Sequence, residues 1–237
     1  MHEMQKTRPW AILTAGAAIQ VLTGLPAAWG VFQRPVMEEY GLSEQGAGYA
    51  FGILIAAFGV GCVLGGFLQD SRGPRCAALW GTALLCGGFF AAAMLPGGSA
   101  GSFFLAFSIP AGLGTAFLYP SIQSCAQKWY AGRKGLATGV IGGAVGLSGA
   151  FLTVFVRTAV SGFGIVQGIR GAFWALGAIT LPVCLAGSLL LQDPPESRQN
   201  QQGSGKNEID LSPWQMLKTK QYWLCAGAVC FSTPAVL

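Results

Sequence analysis

Histidine and charged residues are scarce in this sequence. Its 237 residues include one histidine, His2, and 10% charged residues, where a soluble domain has about 25%. A single histidine near the N-terminus excludes a histidine metal cluster or a His-based protease site within the apolar segments. The sequence also lacks a GxxxxGK phosphate loop, so it has no nucleotide motor of its own. We therefore predict a protein that is not an enzyme and that needs no metal or other cofactor.

Cysteine is present, but its pattern indicates neither a metal site nor a redox site. The seven cysteines include no C-x-x-C pair; six of them fall inside the apolar stretches described next, and the seventh, Cys76, begins one. Such positions are typical of small packing residues in an apolar interior.

Long apolar stretches dominate the rest of the chain, 52% of which is hydrophobic. A helix needs about 20 residues to cross a bilayer core. Six stretches are long enough: Trp10 to Phe32, Gly46 to Leu68, Cys76 to Leu95, Phe103 to Ala126, Gly135 to Val156, and Gly171 to Leu191. Continuous apolar runs favour helices over the alternating strands of a barrel. We name these stretches spans 1 to 6 and predict an all-α membrane protein embedded in the lipid bilayer.

A seventh apolar stretch begins at Tyr222 and reaches Leu237. It is too short for a full crossing, so we expect a fragment of a longer protein, truncated in its seventh helix. Before it, residues 192–220 are polar and rich in proline and glycine, which indicates a flexible cytoplasmic linker. The predicted domains are a six-helix bundle at 1–191, the linker at 192–220 and an incomplete helix at 221–237.

Basic residues are concentrated on one side of the predicted spans. Eleven of the 14 lysines and arginines precede span 1 or follow spans 2, 4 and 6. By the positive-inside rule these segments face the cytoplasm. We therefore predict a multi-pass protein of the plasma (inner) membrane with a cytoplasmic N-terminus. The net charge of +5 then requires no nucleic-acid partner.

Small residues recur at helical spacing in spans 2 and 5. Steps of three or four residues place them along one face of each helix, where a neighbouring helix can approach closely. The seam of span 5 is Gly135, Gly139, Gly142, Gly146 and Gly149, and that of span 2 is Gly48, Gly52, Ala56, Gly59 and Gly66. The pattern predicts helix packing and does not distinguish a transporter from a channel.

Two segments of the chain resemble each other. GLPAAWGVF (24–32) in span 1 is similar to GLGTAFLYP (112–120) in span 4, and each is followed by a loop and a helix that opens with glycine. Spans 1–3 and 4–6 are therefore predicted to be two copies of opposite topology. In that arrangement a pocket forms near the membrane midplane and is exposed to each side in turn.

A charged loop joins spans 2 and 3. Its Gly66, Leu68, Asp70, Gly73 and Arg75 resemble the G-x-L-x-D-R-x-G-x-R loop of major facilitator superfamily transporters, which lies between the same two helices. The segments AGLGTAFLYPSIQSCAQKWYAGRKGLATG (111–139) and MLKTKQYW (216–223) are similar to those of the oxalate:formate antiporter and monocarboxylate porter branch. The resemblance implies the N-terminal half of a twelve-helix transporter, with its C-terminal six-helix half as the missing partner.

The resemblance also implies that this loop is a gate. Asp70 at a membrane edge can pair with an arginine or accept hydrogen bonds from a facing helix start, and Gly73 permits a tight turn. We expect these contacts in one transport state and not in the other. Ser71 stands where the motif usually has a basic residue, and Arg72 is the nearest substitute. The alternative is a solvated turn without a gating role.

Polar side chains on spans 1 and 4 are candidates for a substrate pocket. Tyr119 and Gln123 lie one turn apart on span 4, and the resembling family has an aromatic pocket residue at the place of Tyr119. Gln20 and Thr23 share a face of span 1. The alternative is that these side chains bond to neighbouring helices inside the bundle.

A proline near the middle of span 1 affects what that helix can present. Trp29 lies about 180° round the helix from Gln20. Both side chains can face one pocket only if the helix is broken between them. Pro26 is the candidate for such a break.

The substrate class follows from the resembling branch, which carries small organic anions. Spans 1 to 6 have no lysine or arginine at depth, so the counter-charge for a carboxylate is expected from the C-terminal half. Pro26, Ala27 and Val145 depart from the residues of oxalate carriers, which disfavours oxalate itself. We predict secondary active transport of a monocarboxylate or dicarboxylate by alternating access, as an antiporter or ion-coupled symporter. The alternative is a six-span channel-like or membrane assembly protein without transport activity of its own.

Overall fold

The computed structural model describes residues 9–96, 100–163, 165–192, 194 and 218–232. The chain divides into one unit of Met1–Pro194 and a second unit of Pro195–Leu237. The α-helices of the described residues are α1 Pro9–Thr23, α2 Leu25–Tyr40, α3 Glu44–Arg72, α4 Pro74–Met94, α5 Ala100–Phe103, α6 Ile109–Trp129, α7 Lys134–Phe163, α8 Ile165–Leu190 and α9 Lys220–Ser232. Most of the predicted linker at 192–220 lies outside the described residues.

The six predicted spans are confirmed as helical segments long and apolar enough to cross a membrane. Their bounds are Pro9–Tyr40, Glu44–Arg72, Pro74–Met94, Ala100–Trp129, Ala131–Ala159 and Gly168–Leu190. Spans 1 and 2 are longer than the apolar stretches that predicted them, because each helix continues through polar residues until a capping residue ends it.

The distal end of span 1, remote from the N-terminus, is closed by Gly41. Gly41 has a left-handed backbone with a φ of 65°, a conformation that glycine adopts without strain. Ser43 then caps span 2, because its side-chain oxygen accepts a hydrogen bond from the Gly46 N–H at 3.1 Å. Span 1 therefore extends past Phe32 and includes Glu39. The prediction that the helix ends at Phe32 is wrong, since apolar character stops there while helical structure does not.

Span 1 consists of two helices, α1 and α2, with Gly24 between them. Gly24 has a φ of −75° and a ψ of 44°, outside the helical region. Pro26 lies in the first turn of α2 and has no N–H to continue the hydrogen-bond ladder across the break. A Cβ at Gly24 would collide with the hydroxyl of Ser148 in span 5. The break predicted from Pro26 is thus present, and a close contact between helices accompanies it.

Span 4 contains a π-helical turn, Phe104–Ser108, between α5 and α6. The N–H of Ile109 donates to the carbonyl of Phe104, five residues back. Pro110 follows directly, and it lacks an N–H and crowds the carbonyl of the preceding turn. A wider turn at this point relieves that crowding.

Aromatic rings from spans 1, 3, 4 and 6 fill the distal half of the bundle. This aromatic cluster is Trp29, Phe32, Tyr40, Phe89, Phe103, Phe107 and Phe173, each no more than 7% exposed. The ring centroid of Phe107 lies 5.0 Å from that of Phe173 and 5.2 Å from that of Phe103. The Tyr40 hydroxyl donates to the carbonyl of Ala92 at 2.7 Å, which satisfies its polar end. The cluster holds α2 against the other three spans.

Glycines of spans 2, 3 and 4 allow close contacts between these three spans. A Cβ at Gly114 would lie 2.5 Å from the Leu85 nitrogen and 2.8 Å from the Gly81 oxygen. A Cβ at Gly61 would lie 2.6 Å from the Ala116 Cβ. Neither position has space for a side chain, so the backbones approach directly and gain van der Waals contact.

The two predicted glycine seams lie on the open side of this bundle. Among the described residues no neighbouring atom lies within 4 Å of a Cβ built at Gly48, Gly52, Gly59, Gly66, Gly135, Gly139, Gly142 or Gly146. Gly149 does meet a neighbour, the Ala27 oxygen at 3.4 Å. Spans 2 and 5 are also the least buried: 22% and 28% of the residues in their apolar segments are buried, against 39% to 56% in the other spans. The prediction of close helix contact along the seams is therefore wrong within this bundle, since spacing defines a stripe but not what covers it.

Candidate functional site

Gln20 and Thr23 lie next to the break in span 1 and are bonded to each other. They are 1% and 0% exposed, and the Thr23 hydroxyl donates to Gln20 Oε1 at 3.0 Å. The other end of the Gln20 amide, Nε2, is buried without a hydrogen-bond partner among the described residues. A buried donor without a partner is unfavourable, so this nitrogen is a point where a ligand acceptor or a water would be stabilised.

Ser148 of span 5 contacts the break directly. Its hydroxyl lies 3.3 Å from the Gly24 carbonyl oxygen and 2.5 Å from the Val145 carbonyl oxygen. The hydroxyl has one proton to donate, and the two carbonyls share it. Ser148 therefore couples the broken backbone of span 1 to span 5.

Tyr119 and Gln123 of span 4 are only partly buried. The Tyr119 ring centroid lies 6.5 Å from that of Phe58 in span 2. Gln123 Oε1 is buried without a hydrogen-bond partner in the described part of the chain. Gln123 thus presents an unpaired acceptor, whereas Gln20 presents an unpaired donor.

Spans 1 and 4 meet at the level of these polar groups. A Cβ at Gly16, one turn before Gln20, would lie 2.7 Å from Ile122 Cγ2, next in sequence to Gln123. The structure thus brings Gln20 and Thr23 into contact with each other and Tyr119 into contact with Phe58. It records no direct contact between the two polar pairs.

The loop between spans 2 and 3 forms a tight turn. Gly73 has a φ of 87°, which favours glycine, and its N–H donates to the Gln69 carbonyl at 2.8 Å. Asp70, Arg72 and Arg75 are exposed. Among the described residues no hydrogen bond or ion pair involves the Asp70 carboxylate. The charged side chains of the loop are therefore directed away from this bundle.

Two serines near the loop have local roles. The Ser71 hydroxyl donates to the carbonyl of Leu68 in its own helix at 3.2 Å, so it does not replace the basic residue of the motif. Ser124 of span 4 accepts a hydrogen bond from Gln69 Nε2 at 2.9 Å. This second bond fixes the end of span 2 on span 4, and sequence reasoning missed it because it joins side chains far apart in the chain.

Sequence reasoning also missed a buried ion pair. Arg170 Nε of span 6 lies 2.5 Å from Glu39 Oε1 of span 1. Glu39 lies between the predicted spans 1 and 2, yet it follows Phe32 and Val36 on one helical face, and that spacing was the available signal. In the described part of the chain, no group of three or more His, Cys, Asp or Glu side chains is placed to hold a metal ion.

The fold and these sites define a class: a helical multi-pass membrane protein built like one bundle of a transporter. Comparison with known families identifies it further. The chain belongs to the Major Facilitator Superfamily, whose sequence profile matches residues 9–237. Its six spans form the N-terminal six-helix bundle of this fold, with spans 1–3 and 4–6 as inverted repeats.

The relatives of this chain include proteins that are named as transporters of small anions, and one that is uncharacterised. The oxalate:formate antiporter of Oxalobacter formigenes is 23% identical over 86% of this chain and 47% of its own length. Human monocarboxylate transporter 2 is 26% identical over 90% of this chain and 45% of its own length. An uncharacterised 38 kDa protein of Thermoproteus tenax is 30% identical over 79% of this chain and 48% of its own length.

A solved structure gives the same fold. The crystal structure of a mutant of the peptide transporter POT in complex with sulfate superposes with a TM-score of 0.59 and 22% identity, over 96% of this chain and 45% of that chain. The chain therefore spans about half the length of the relatives it matches.

Proposed function

We propose that this chain is the N-terminal bundle of a secondary active transporter for small organic anions, which works by alternating access against a second six-helix bundle. The observation that carries the proposal is the open side of spans 2 and 5, where the glycine seams have no partner within the described residues. Similarity to an oxalate:formate antiporter and to monocarboxylate transporters supports a carboxylate as the substrate.

The side chains of span 5 support one face as the lipid contact and another as the contact with the second bundle. Its buried residues form one face, its glycines a second, and exposed bulky residues a third, namely Val140, Leu147, Phe151 and Val154. At 3.6 residues per turn, the bulky face lies about 130° round the helix from the glycine seam. Bulky apolar side chains suit lipid, whereas a smooth glycine surface suits another helix. The glycine seam is therefore the side proposed to meet the second bundle.

The loop between spans 2 and 3 is proposed as the gate. Asp70, Arg72 and Arg75 are exposed next to the glycine seam of span 2, within reach of a bundle that covers that seam. Charge-assisted contacts made in one state and broken in the other would bias the equilibrium between them. Gly66 continues the glycine seam of span 2 to the loop. The proposed gate and the surface proposed to move against the second bundle are therefore continuous.

The substrate pocket is proposed to lie between spans 1 and 4. The unpaired Gln20 Nε2 donor and the partly buried Tyr119 and Gln123 supply polar contacts without a charge. A carboxylate in a low-dielectric site requires a cation, which we assign to the second bundle. A monocarboxylate or dicarboxylate, exchanged or coupled to an ion gradient, is the proposed solute.

The topology proposed is a cytoplasmic N-terminus in the plasma (inner) membrane. Eleven of the 14 basic residues then lie on the cytoplasmic side, as the positive-inside rule requires. Residues 1–191 form the bundle, 192–220 the cytoplasmic linker, and 221–237 the first part of a seventh span, to which the helix Lys220–Ser232 corresponds.

Uptake by the full-length protein tests the proposal. Proteoliposomes are loaded with unlabelled carboxylate, or a pH gradient is imposed across their membrane. The entry of radiolabelled monocarboxylates and dicarboxylates is then measured. We expect saturable uptake that is stimulated by internal carboxylate or by the gradient. Flux that neither saturates nor responds to either would contradict a carrier and favour the channel-like alternative.

A further inference from the structure

A carboxylate is buried at the distal end of span 1 and is paired with an arginine of span 6. The Glu39 side chain is 3% exposed and that of Arg170 is 36% exposed, with 2.5 Å between Arg170 Nε and Glu39 Oε1. Glu39 Oε2 is buried and has no hydrogen-bond partner among the described residues. Because removal of Arg170 would leave the buried Glu39 carboxylate without its cation, the pair favours the contact between these two helices.

A second arginine–glutamate pair on the same helix is more exposed and joins no other helix. Arg34 Nε lies 3.1 Å from Glu38 Oε1, the two residues are four apart on α2, and their side chains are 88% and 36% exposed. An exposed ion pair within one helix contributes little to stability and does not hold a neighbouring helix in place. It provides a matched control at the same end of the same span.

Two neighbours of Glu39 on α2 are fully buried. Val36, one turn earlier, and Tyr40 are both 0% exposed. The Tyr40 hydroxyl is directed to the Ala92 carbonyl, so it is not a donor to Glu39. Arg170 is thus the cation that the structure places against this carboxylate.

The position of the pair gives it leverage on span 1. The break at Gly24 separates α2 from α1, and Glu39 lies at the far end of α2. A break of this kind permits α2 to tilt relative to α1. A contact at the far end of α2 then limits that tilt more effectively than a contact near the break.

We propose that the Glu39–Arg170 pair is a positioning clamp that holds α2 on span 6 and so sets the angle of the distal half of span 1 during transport. This inference rests on the proposed function. It goes beyond that function by assigning a role to two residues outside the pocket and the gate, and to span 6, which carries neither.

Thiol labelling in the full-length protein tests the clamp. Val36→Cys is introduced as a reporter on the buried face of α2, and its rate of reaction with a small water-soluble maleimide is measured, with the parent lacking Val36→Cys as the baseline. We compare Glu39→Gln, the double variant Glu39→Gln with Arg170→Gln, and the control Arg34→Gln with Glu38→Gln. Unfolding temperature and carboxylate uptake are measured on each.

The clamp predicts that the labelling rate rises about ten-fold in Glu39→Gln and in the double variant, because both lose the contact that limits tilt. Glu39→Gln leaves Arg170 without its partner, whereas the double variant leaves no unpaired charge at this site, so its unfolding temperature should return towards that of the parent while its labelling stays fast. We expect its maximal uptake rate to fall about five-fold, and the control to match the parent in labelling and uptake.

Two results would overturn the clamp. One is parental labelling in the double variant, which would mean that the pair contributes to stability alone. The other is equal labelling changes in the control. If Glu39→Gln does not fold, the double variant still decides the question. Absence of uptake in the parent would instead refute the proposed function and leave the labelling comparison intact.

Discussion

Span 2 presents glycine on two opposite faces, and the two sets have different surroundings. Gly61 and Gly65 are packed against span 4, where an added Cβ would lie 2.6 Å from Ala116 and 3.0 Å from Phe117. Gly52 and Gly59 have no neighbouring atom within 4 Å of such a Cβ. The same residue type at helical spacing therefore forms a static helix contact on one side and an uncovered surface on the other.

This difference teaches what each set of glycines is for. On the packed face glycine is required for the bundle to close. On the open face nothing in the described residues requires glycine, and larger apolar residues would suit lipid equally well. In the proposed function, the open glycines contact the second bundle.

The packed glycines, which include Gly114 of span 4 as well as Gly61 and Gly65, should dominate stability. Gly114→Leu forces a side chain into the Gly81 and Leu85 backbone, so we expect the free energy of unfolding to fall by about 3 kcal/mol or more. Thermal unfolding in detergent measures this loss. The control Gly142→Leu, on the open seam of span 5, should change stability by less than about 0.5 kcal/mol. Equal losses at both positions would remove the distinction between the two sets.

The open set should dominate transport. Gly139→Leu places a bulky side chain on the proposed sliding surface, so the uptake rate of the full-length protein should fall at least about ten-fold while the protein stays folded. Leu147→Ala, on the bulky face of span 5, is the control and should retain uptake. Normal uptake by Gly139→Leu would show that no helix slides along this seam.

The proposed gate lies in the loop between spans 2 and 3, at the end of the open surface of span 2. Asp70→Asn removes the charge but keeps the shape, so we expect uptake to slow about five-fold with the substrate affinity of the open site nearly unchanged. Initial rates over a range of substrate concentrations separate the two quantities. Ser71→Ala is the control, since that hydroxyl bonds its own helix. Unchanged kinetics in Asp70→Asn would remove Asp70 from the gate.

Variants of the proposed pocket should change substrate binding rather than the rate of uptake. Tyr119→Ala is expected to raise the dissociation constant about ten-fold, equivalent to about 1.4 kcal/mol, because it removes a partly buried aromatic wall. Titration calorimetry on the purified full-length protein measures it. Tyr119→Phe keeps the ring against Phe58 and tests whether the hydroxyl contributes. An unaltered constant in Tyr119→Ala would place the residue outside the pocket.

The sequence predicted the spans because the hydrophobic length of a helix is a local property. It also predicted the break in span 1, since Pro26 cannot continue the hydrogen-bond ladder. It misplaced the end of that helix because Arg34 and Glu38 are polar but still helical. A hydropathy pattern reports solvent preference, and a cap such as Gly41 reports where the backbone turns.

Pairings between distant segments were beyond the sequence. The Gln69–Ser124 bond and the Glu39–Arg170 pair depend on which helices become neighbours, a property of the folded bundle. For the same reason, the spacing of the glycines predicted a face for helix contact but not which helix covers that face. The candidate pocket residues were chosen by helical face, and that criterion does not separate the buried Gln20 and Thr23 from the partly buried Tyr119 and Gln123.

Lipid contact along span 5 tests the central claim most directly. A bimane fluorophore is attached at Gly142→Cys or at Leu147→Cys in the full-length protein, and quenching by brominated lipid is compared. The account predicts strong quenching at position 147 and little at position 142, because the second bundle excludes lipid from the glycine seam. Equal quenching at both positions would contradict it.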